Sequence, residues 1–356
     1  MKKKLMLVMC LALVVAMFAG CAGSDAPVGG GGSDAPAEDP APGVEAPAEG
    51  SVKTGMAVIS SIGKSKDAGD EDGLAQADSV IVAVTVDDSG VITNCAIDSA
   101  QTKIAFSADG KIVTPLDTVF VAKQEMGTDY GMGKASSLGK EWNEQANDLA
   151  AYVIGKTVDE VKGIAVTEDG VPTDAELASA VTIKIKDYIA GIEKAVANAQ
   201  SLGADAADKL GIGVVTTIDK SKDAGEEDGL AQAYSNYAVV TFDGAGAITS
   251  CIIDASQANI TFSADGKLTA DLAAAPQTKN ELGDAYGMKK ASAIGKEWYE
   301  QADAFAKYVT GKTVSEVNGI ALNEEGVAAD AELASSVSVH IGPFMEIIEK
   351  AFNAAK

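Results

Sequence analysis

The sequence predicts an α+β protein made of two homologous tandem domains, each an antiparallel sheet with helices packed on it. The first observation is a duplication. Residues 55–198 of the 356-residue chain recur at 211–354 without insertion or deletion, so Cys95 returns as Cys251 and Trp142 as Trp298. The second is the length of the period, 156 residues, far beyond the roughly 20–50 of solenoids and propellers, so each copy reads as a whole domain. The third is the order of patterns within a copy. Short β-branched runs come first and 3.6-residue periodicity follows, with no βαβ alternation.

The elements follow in order. Met56 to Ile62 and Gly213 to Ile218 read as a first strand. Ser79 to Val86 and Tyr237 to Phe242 run into turn residues (Asp87 to Gly90; Asp243 to Gly246), then into Val91 to Ile97 and Ala247 to Ile253. That is a hairpin signal in both copies. Cys95 and Cys251 alternate with apolar neighbours and read as buried structural thiols. A third strand is expected at Lys103 to Phe106 and Asn259 to Phe262, then a turn and the short runs Lys111 to Thr114 and Lys267 to Ala270.

Trp142, Ala146, Leu149, Ala150 and Val153 form one helical stripe, repeated as Trp298, Ala302, Phe305, Ala306 and Val309, and Gly155 and Gly311 stand where a helix C-terminus turns left-handed. Thr157 with Glu160, and Thr313 with Glu316, have the spacing of a capping box. The stretch from Thr173 to Glu176 is a second capping signal. A strand (Val181 to Ile185; Val337 to Ile341) and a closing helix (Tyr188 to Asn198; Phe344 to Ala354) complete each copy.

The N-terminal residues suggest a location. Met1 to Lys4 are basic, Leu5 to Phe18 apolar, and Ala19-Gly20 precede Cys21. This is the plan of a secretory signal, and it resembles the lipobox of bacterial lipoproteins, in which the cysteine carries the lipid. Residues 1–21 are therefore read as the signal with Cys21 as the lipidation site. Residues 22–51, rich in Gly, Pro, Ala, Ser and acids, are read as a disordered tether. The two domains are set at 52–199 and 207–356. The expected location is the cell membrane, lipid-anchored, on the extracellular or periplasmic side.

A formal charge of −24 argues against nucleic acid as a partner. His340 is the only histidine, so a Ser-His-Asp or Cys-His catalytic set cannot exist in both copies, and no His/Cys metal site is expected. The pairing of His340 with Lys184 across the repeat reads as an exposed strand position. With no repeated catalytic set, a redox carrier or binding protein is favoured over a catalyst.

Three repeated constellations could carry chemistry. The acidic loops Lys66 to Gly73 and Lys222 to Gly229 lack calcium-loop spacing and read as solvated. Glu141 with Glu144, and Glu297 with Glu300, share a helix face beside Lys140 and Lys296 and read as a surface charge lattice. The third is the stretch before the long helix, Tyr130 to Lys140 and Tyr286 to Lys296. It combines small residues, hydroxyls (Ser136, Ser137; Ser292) and lysines (Lys134, Lys140; Lys289, Lys290, Lys296). Amides at a helix N-terminus together with cations make an anion site, and capping by Ser136 and Ser292 is the alternative.

The hairpin Tyr237 to Cys251 is similar to the opening strands of the bacterial FMN-binding domain found in exported lipoproteins. That family continues with an Asp-x-x-Ser-Gly-Ala-Thr segment whose threonine takes the flavin phosphate. Ala135-Ser136 and Ala291-Ser292 occupy its Ala-Thr places, with serine for threonine and lysine (Lys134, Lys290) for glycine. The resemblance implies FMN held at these residues, covalent attachment weakened by the replacement, and ring cover from Tyr130 and Tyr286, Met132 and Met288, or Trp142 and Trp298. It also implies extracellular electron transfer with a membrane redox partner. The competing expectation is a surface lipoprotein that binds another anionic small molecule or acts as a protein-interaction module.

The anchor expectation can be checked directly. Cys21→Ser should move the protein from the membrane pellet to the soluble fraction with its thermal transition unchanged. Retention in the pellet would refute the anchor.

Overall fold

The computed structural model describes residues 50–356, so the signal, Cys21 and almost all of the tether lie outside the described residues. Each repeat carries one three-stranded antiparallel sheet with its strands in chain order. The first repeat contributes β1 (Lys53–Ser61), β2 (Gly73–Val86) and β3 (Ile92–Phe106), followed by α1 (Lys123–Met126), α2 (Trp142–Val153), α3 (Val158–Lys162), α4 (Ala175–Ala178) and α5 (Lys186–Ala197). The second repeats them as β4 (Lys209–Thr217), β5 (Gly229–Phe242), β6 (Ile248–Phe262), α6 (Lys279–Leu282), α7 (Trp298–Val309), α8 (Val314–Asn318), α9 (Ala331–Ala334) and α10 (Gly342–Ala354). The α+β class holds. No helix of the described residues is long and apolar enough to cross a membrane.

Local chemistry explains most boundaries. Asp87 Oδ1 accepts from Ser89 N and Val91 N, which fixes the β2–β3 turn, and Gly90 supplies its left-handed residue at φ 79°. Thr157 and Thr313 cap α3 and α8 in capping boxes as expected. Asp174, not Thr173, caps α4.

Two strand expectations change. The run Lys103 to Phe106 is the far end of β3, because β2 begins six residues earlier than its apolar stretch and pairs all the way from Gly73↔Phe106. The segments Val181 to Ile185 and Val337 to Ile341 are not strands. Their amides go to a buried glutamine: Gln145 Oε1 accepts from Thr182 N at 2.7 Å and Ile183 N at 3.2 Å, and Gln301 Oε1 accepts from Ser338 N. His340 is accordingly exposed in a loop and not in a strand.

Each sheet buries both faces. Toward the helices, Val82, Val84, Ile92 and Ile97 pack on Trp142, Leu149 and Ile192, and the second repeat does the same around Phe305 and Phe344. On the other face the two sheets meet each other. Met56, Val58, Ile81 and Ala83 pack against Ile212, Val214, Tyr237 and Val239. Phe106 and Phe262 stack with centroids 4.4 Å apart. The order of layers is helices, sheet, sheet, helices.

The contacts across this seam are reciprocal. Ala68 N donates to Gly266 O and Ala224 N to Gly110 O; Asp67 Oδ1 accepts from Leu268 N and Asp223 Oδ1 from Ile112 N. The acidic loops are thus clasps in which the first carboxylate of each holds the other repeat's hairpin. Everything from residue 50 onward belongs to one compact unit. Each repeat has its own helix-side core, and the sheet-side core is shared between the repeats.

Phe106→Ala should cost about 3–5 kcal/mol, the usual loss for a buried aromatic. It should lower one unfolding transition common to both repeats. Two calorimetric transitions, only one of them shifted, would contradict a shared core.

Candidate functional site

The stretch expected to hold an anion is built around an anion of the chain's own. α2 begins at Trp142 and its N-cap is Glu141, so Ser136 lies in the preceding turns and caps nothing. Glu141 accepts from its own N3 amide and from Met132 N at 2.7 Å, while Glu144 accepts from Glu141 N at 2.7 Å. In the second repeat Glu297, only 2% exposed, takes Met288 N and Lys289 N. The carboxylates read as a surface lattice are a capping box, and they sit where the amides and the helix dipole would draw a phosphate.

The remaining predicted residues do not converge on a ligand. Ser136 Oγ accepts from Gln145 Nε2 and Leu138 N, and Ser292 Oγ from Gln301 Nε2, Ile294 N and Lys296 N. Lys134, Ser137, Lys289 and Lys290 point to solvent. Lys140 pairs with Asp148 at 2.6 Å, and Lys296 is half-buried. Glu141 and Glu297 take amides of the stretch on which the phosphate was expected. Glu-x-x-Glu spacing ahead of an apolar stripe was the sequence signal for this.

The expected ring cover is also engaged. Lys123 Nζ lies 4.5 Å from the Tyr130 ring centroid and 5.2 Å from that of Trp142. Lys279, 4% exposed, sits over Tyr234, Tyr286 and Trp298 at 4.5 to 4.7 Å and donates to Tyr234 Oη at 2.7 Å. Burial pushes this ammonium down to about 8, and the cage of π faces offsets part of its lost hydration. Both tryptophans are buried in the core. Burial also pushes the Cys95 and Cys251 thiols up to about 12, leaving them without thiolate character.

The open space lies at the seam. A cleft of about 680 Å³ is bounded by β3 and α1 of the first repeat and by β4 and α10 of the second. Its counterpart, about 290 Å³, is bounded by β6 and α6 with β1 and α5. The repeat maps one onto the other, so Asp98, Gln124, Glu125 and Lys350 correspond to Asp254, Asn280, Glu281 and Lys194. Each cleft is crossed by an ion pair between repeats, Lys350 with Glu125 at 2.7 Å and Lys194 with Glu281.

At the back of each cleft is a buried aspartate. Asp98 is 4% exposed; its Oδ1 accepts from Ser99 N at 2.7 Å and Gln124 N at 3.0 Å. Asp254, 5% exposed, is held alike by Ala255 N and Asn280 N. Desolvation pushes Asp98 up to about 7 and Asp254 up to about 6. The Thr278 hydroxyl beside Asp254 helps keep it lower, whereas Ala122 takes that place beside Asp98. Sequence reasoning missed both aspartates. Their recurrence with a neighbouring serine or alanine in a strand was visible, but their burial depends on the other repeat.

Comparison with known proteins adds one short likeness. No family model and no solved structure matches the chain. A 41-residue stretch is 56% identical to a chlorophenol reductase of Desulfitobacterium hafniense, and that stretch is 12% of each chain.

The buried aspartate makes stability depend on pH. Asp98 holds its proton to about pH 7 when folded, against about 3.9 for an ordinary aspartate. The folded state therefore binds the extra proton between these limits, and stability falls as pH rises from about 4 to 7. Asp98→Asn keeps an acceptor for the two amides and removes the titration. The variant should be the more stable protein at pH 8, by a few kcal/mol at most, and the two should converge near pH 4. Parallel urea-denaturation profiles across pH 4–8 would count against this.

Proposed function

We propose that the chain is an exported, lipid-tethered binding protein whose ligand site is the first seam cleft. The observation that carries the reading is a cleft of about 680 Å³ with a buried carboxylate at its back and carboxamides along its walls (Asn94, Gln124, Asn143, Asn147, Asn353). A concave site of this size, partly apolar with a few convergent polar groups, is the usual form of a small-molecule site. Leu210, Ile212 and Val214 supply the apolar floor. No nucleophile with an adjacent base lines it, which favours binding over turnover.

A second reading keeps a flavin, with the protein as an electron carrier to extracellular acceptors and a membrane redox partner as donor. It is supported by the hairpin Tyr237 to Cys251 and by the reductase name of the relative that shares 41 residues. FMN then has to be held away from Ser136 and Ser292, and the protein's part would be to bind and orient it.

Ala354→Trp places an indole in the mouth of the first cleft. Native mass spectrometry of protein purified from an exporting host should show a small-molecule adduct on the wild type that the variant lacks. Equal masses, together with equal thermal responses to a metabolite library, would overturn the cleft as the site. FMN titration decides the second reading: saturable quenching of flavin fluorescence supports it, and unchanged fluorescence rejects it.

A further inference from the structure

β1 and β4 are edge strands, and every second residue of an edge strand turns its N–H and C=O away from the sheet. Leu210 is such a residue: its amide donates to Lys356 O at 3.1 Å and its carbonyl accepts from Lys356 N at 3.2 Å. The outward set on β4 is therefore Leu210, Ile212, Val214 and Thr216. Lys356 covers the first, and Phe120 forms an antiparallel bridge with the last. Ile212 and Val214, 5% and 4% exposed, lie between them on the wall of the first cleft. Among the described residues nothing bonds their two N–H and two C=O groups. Buried backbone groups are rarely left unpaired.

The second cleft shows what such an edge takes. Thr54 exchanges backbone bonds with Gln200, so Met56 and Val58 are the outward residues there. Asn198 Nδ2 donates to Met56 O at 3.1 Å, and Lys194 Nζ to Val58 O at 2.8 Å. A side-chain carboxamide, the same group as a peptide bond, thus makes the bond that a neighbouring strand would make. Ala354 replaces Asn198 in the first cleft, and Lys350, the counterpart of Lys194, turns to both carboxylate oxygens of Glu125 at 2.7 and 2.9 Å. The β4 carbonyls receive neither donor.

The rest of the first cleft is mixed in its hydrogen bonding. Asp98 brings a carboxylate, Lys356 an ammonium, and Asn94, Asn143, Asn147 and Asn353 carboxamides with both a donor and an acceptor end. A ligand that only donates or only accepts meets half of this wall. A peptide meets all of it, because each residue carries one N–H and one C=O. The length is bounded too: about three to five extended residues fit between Lys356 and Phe120 at roughly 3.4 Å each.

We infer that the first cleft binds a short extended peptide, which adds to the β4 edge as an antiparallel strand through Ile212 and Val214. The inference rests on the reading of that cleft as the binding site and names its ligand class. Two peptide residues, two positions apart, exchange N–H and C=O bonds with Ile212 and Val214 in the manner of β-strand addition. Their side chains share the face of Ile212 and Val214 and point toward Ala96 and Ala122, so small side chains fit there. The segment ahead of residue 50 suits this edge poorly, since Pro36, Pro40, Pro42 and Pro47 lack the N–H that an added strand donates.

Isothermal titration of the full chain with acetyl-trialanine amide, an uncharged probe, tests this. Saturable binding at one site per chain is expected. N-methylation of the probe should act with a period of two. Methyl groups on the amides that face β4 abolish binding, and methylation of the amide between them changes it less than threefold. Ala354→Asn, which copies Asn198, should weaken binding at least tenfold with an unchanged thermal transition. Equal tolerance of methylation at every residue, two sites per chain, or binding indifferent to Ala354→Asn would overturn strand addition. A dimer in sedimentation that Ala354→Asn dissociates would assign the edge to a second copy and overturn the peptide. Absence of binding overturns the ligand class, and the reading of the cleft as a site then survives only if the wild type keeps a co-purified adduct that Ala354→Trp lacks.

Discussion

Everything in this molecule depends on the fact that each three-stranded sheet has two apolar faces and helices enough for one. β2 and β5 are buried along almost their whole length, and a sheet so composed cannot leave either face in water. The helices α2 and α5 cover one side of the first sheet. Among the described residues, the other repeat's sheet is the apolar surface that covers the second face. The stacked Phe106–Phe262 pair and the carboxylate clasps at Asp67 and Asp223 follow from that pairing. So does the sharing of hydrogen bonds such as Tyr237 Oη to Ser79 Oγ at 3.2 Å, which would be costly to break in a dry interface.

The same stacking creates the clefts. The edge of β1 or β4, with its row of outward carbonyls, comes to lie beside the other repeat's third strand and first short helix. An edge strand is a reactive surface that proteins cover in some way. Here the covering is partial, by the C-terminal turns of α5 and α10, and what those turns carry decides whether the space is closed or open. The equivalent positions differ at Asn198 or Ala354, Gln200 or Lys356, Thr278 or Ala122, Asn280 or Gln124, Met56 or Ile212, and Tyr299 or Asn143.

The sequence was informative where the determining forces are local. The stripe Trp142 to Val153, the left-handed Gly155 and the Thr157–Glu160 box each lie within a dozen residues, and each appears in the structure as read. The α+β class followed from the order of those patterns. The first six residues of β2 were not legible, because Gly73, Gln76 and Asp78 carry no strand signal and pair only through the register set further along. The segment around Thr182 has strand composition, yet its amides are claimed by Gln145, a competition that no pattern of apolar residues encodes. At Ser136 and Ser292 the anion-attracting geometry is present, and Glu141 and Glu297 accept amides of that stretch, an engagement that the apolar stripe does not encode. The cleft was invisible because its walls come from residues more than sixty positions apart.

The reciprocal seam has the form of a homodimer interface, in which each contact occurs twice with its partners exchanged. A pair of separate chains joined this way would come apart on dilution. Writing both halves into one chain, linked through the short stretch between Asn198 and Lys209, makes their meeting intramolecular, at an effective concentration of roughly millimolar for a short linker. The assembled state, and with it any cleft that exists only between the halves, then persists in a single molecule acting alone.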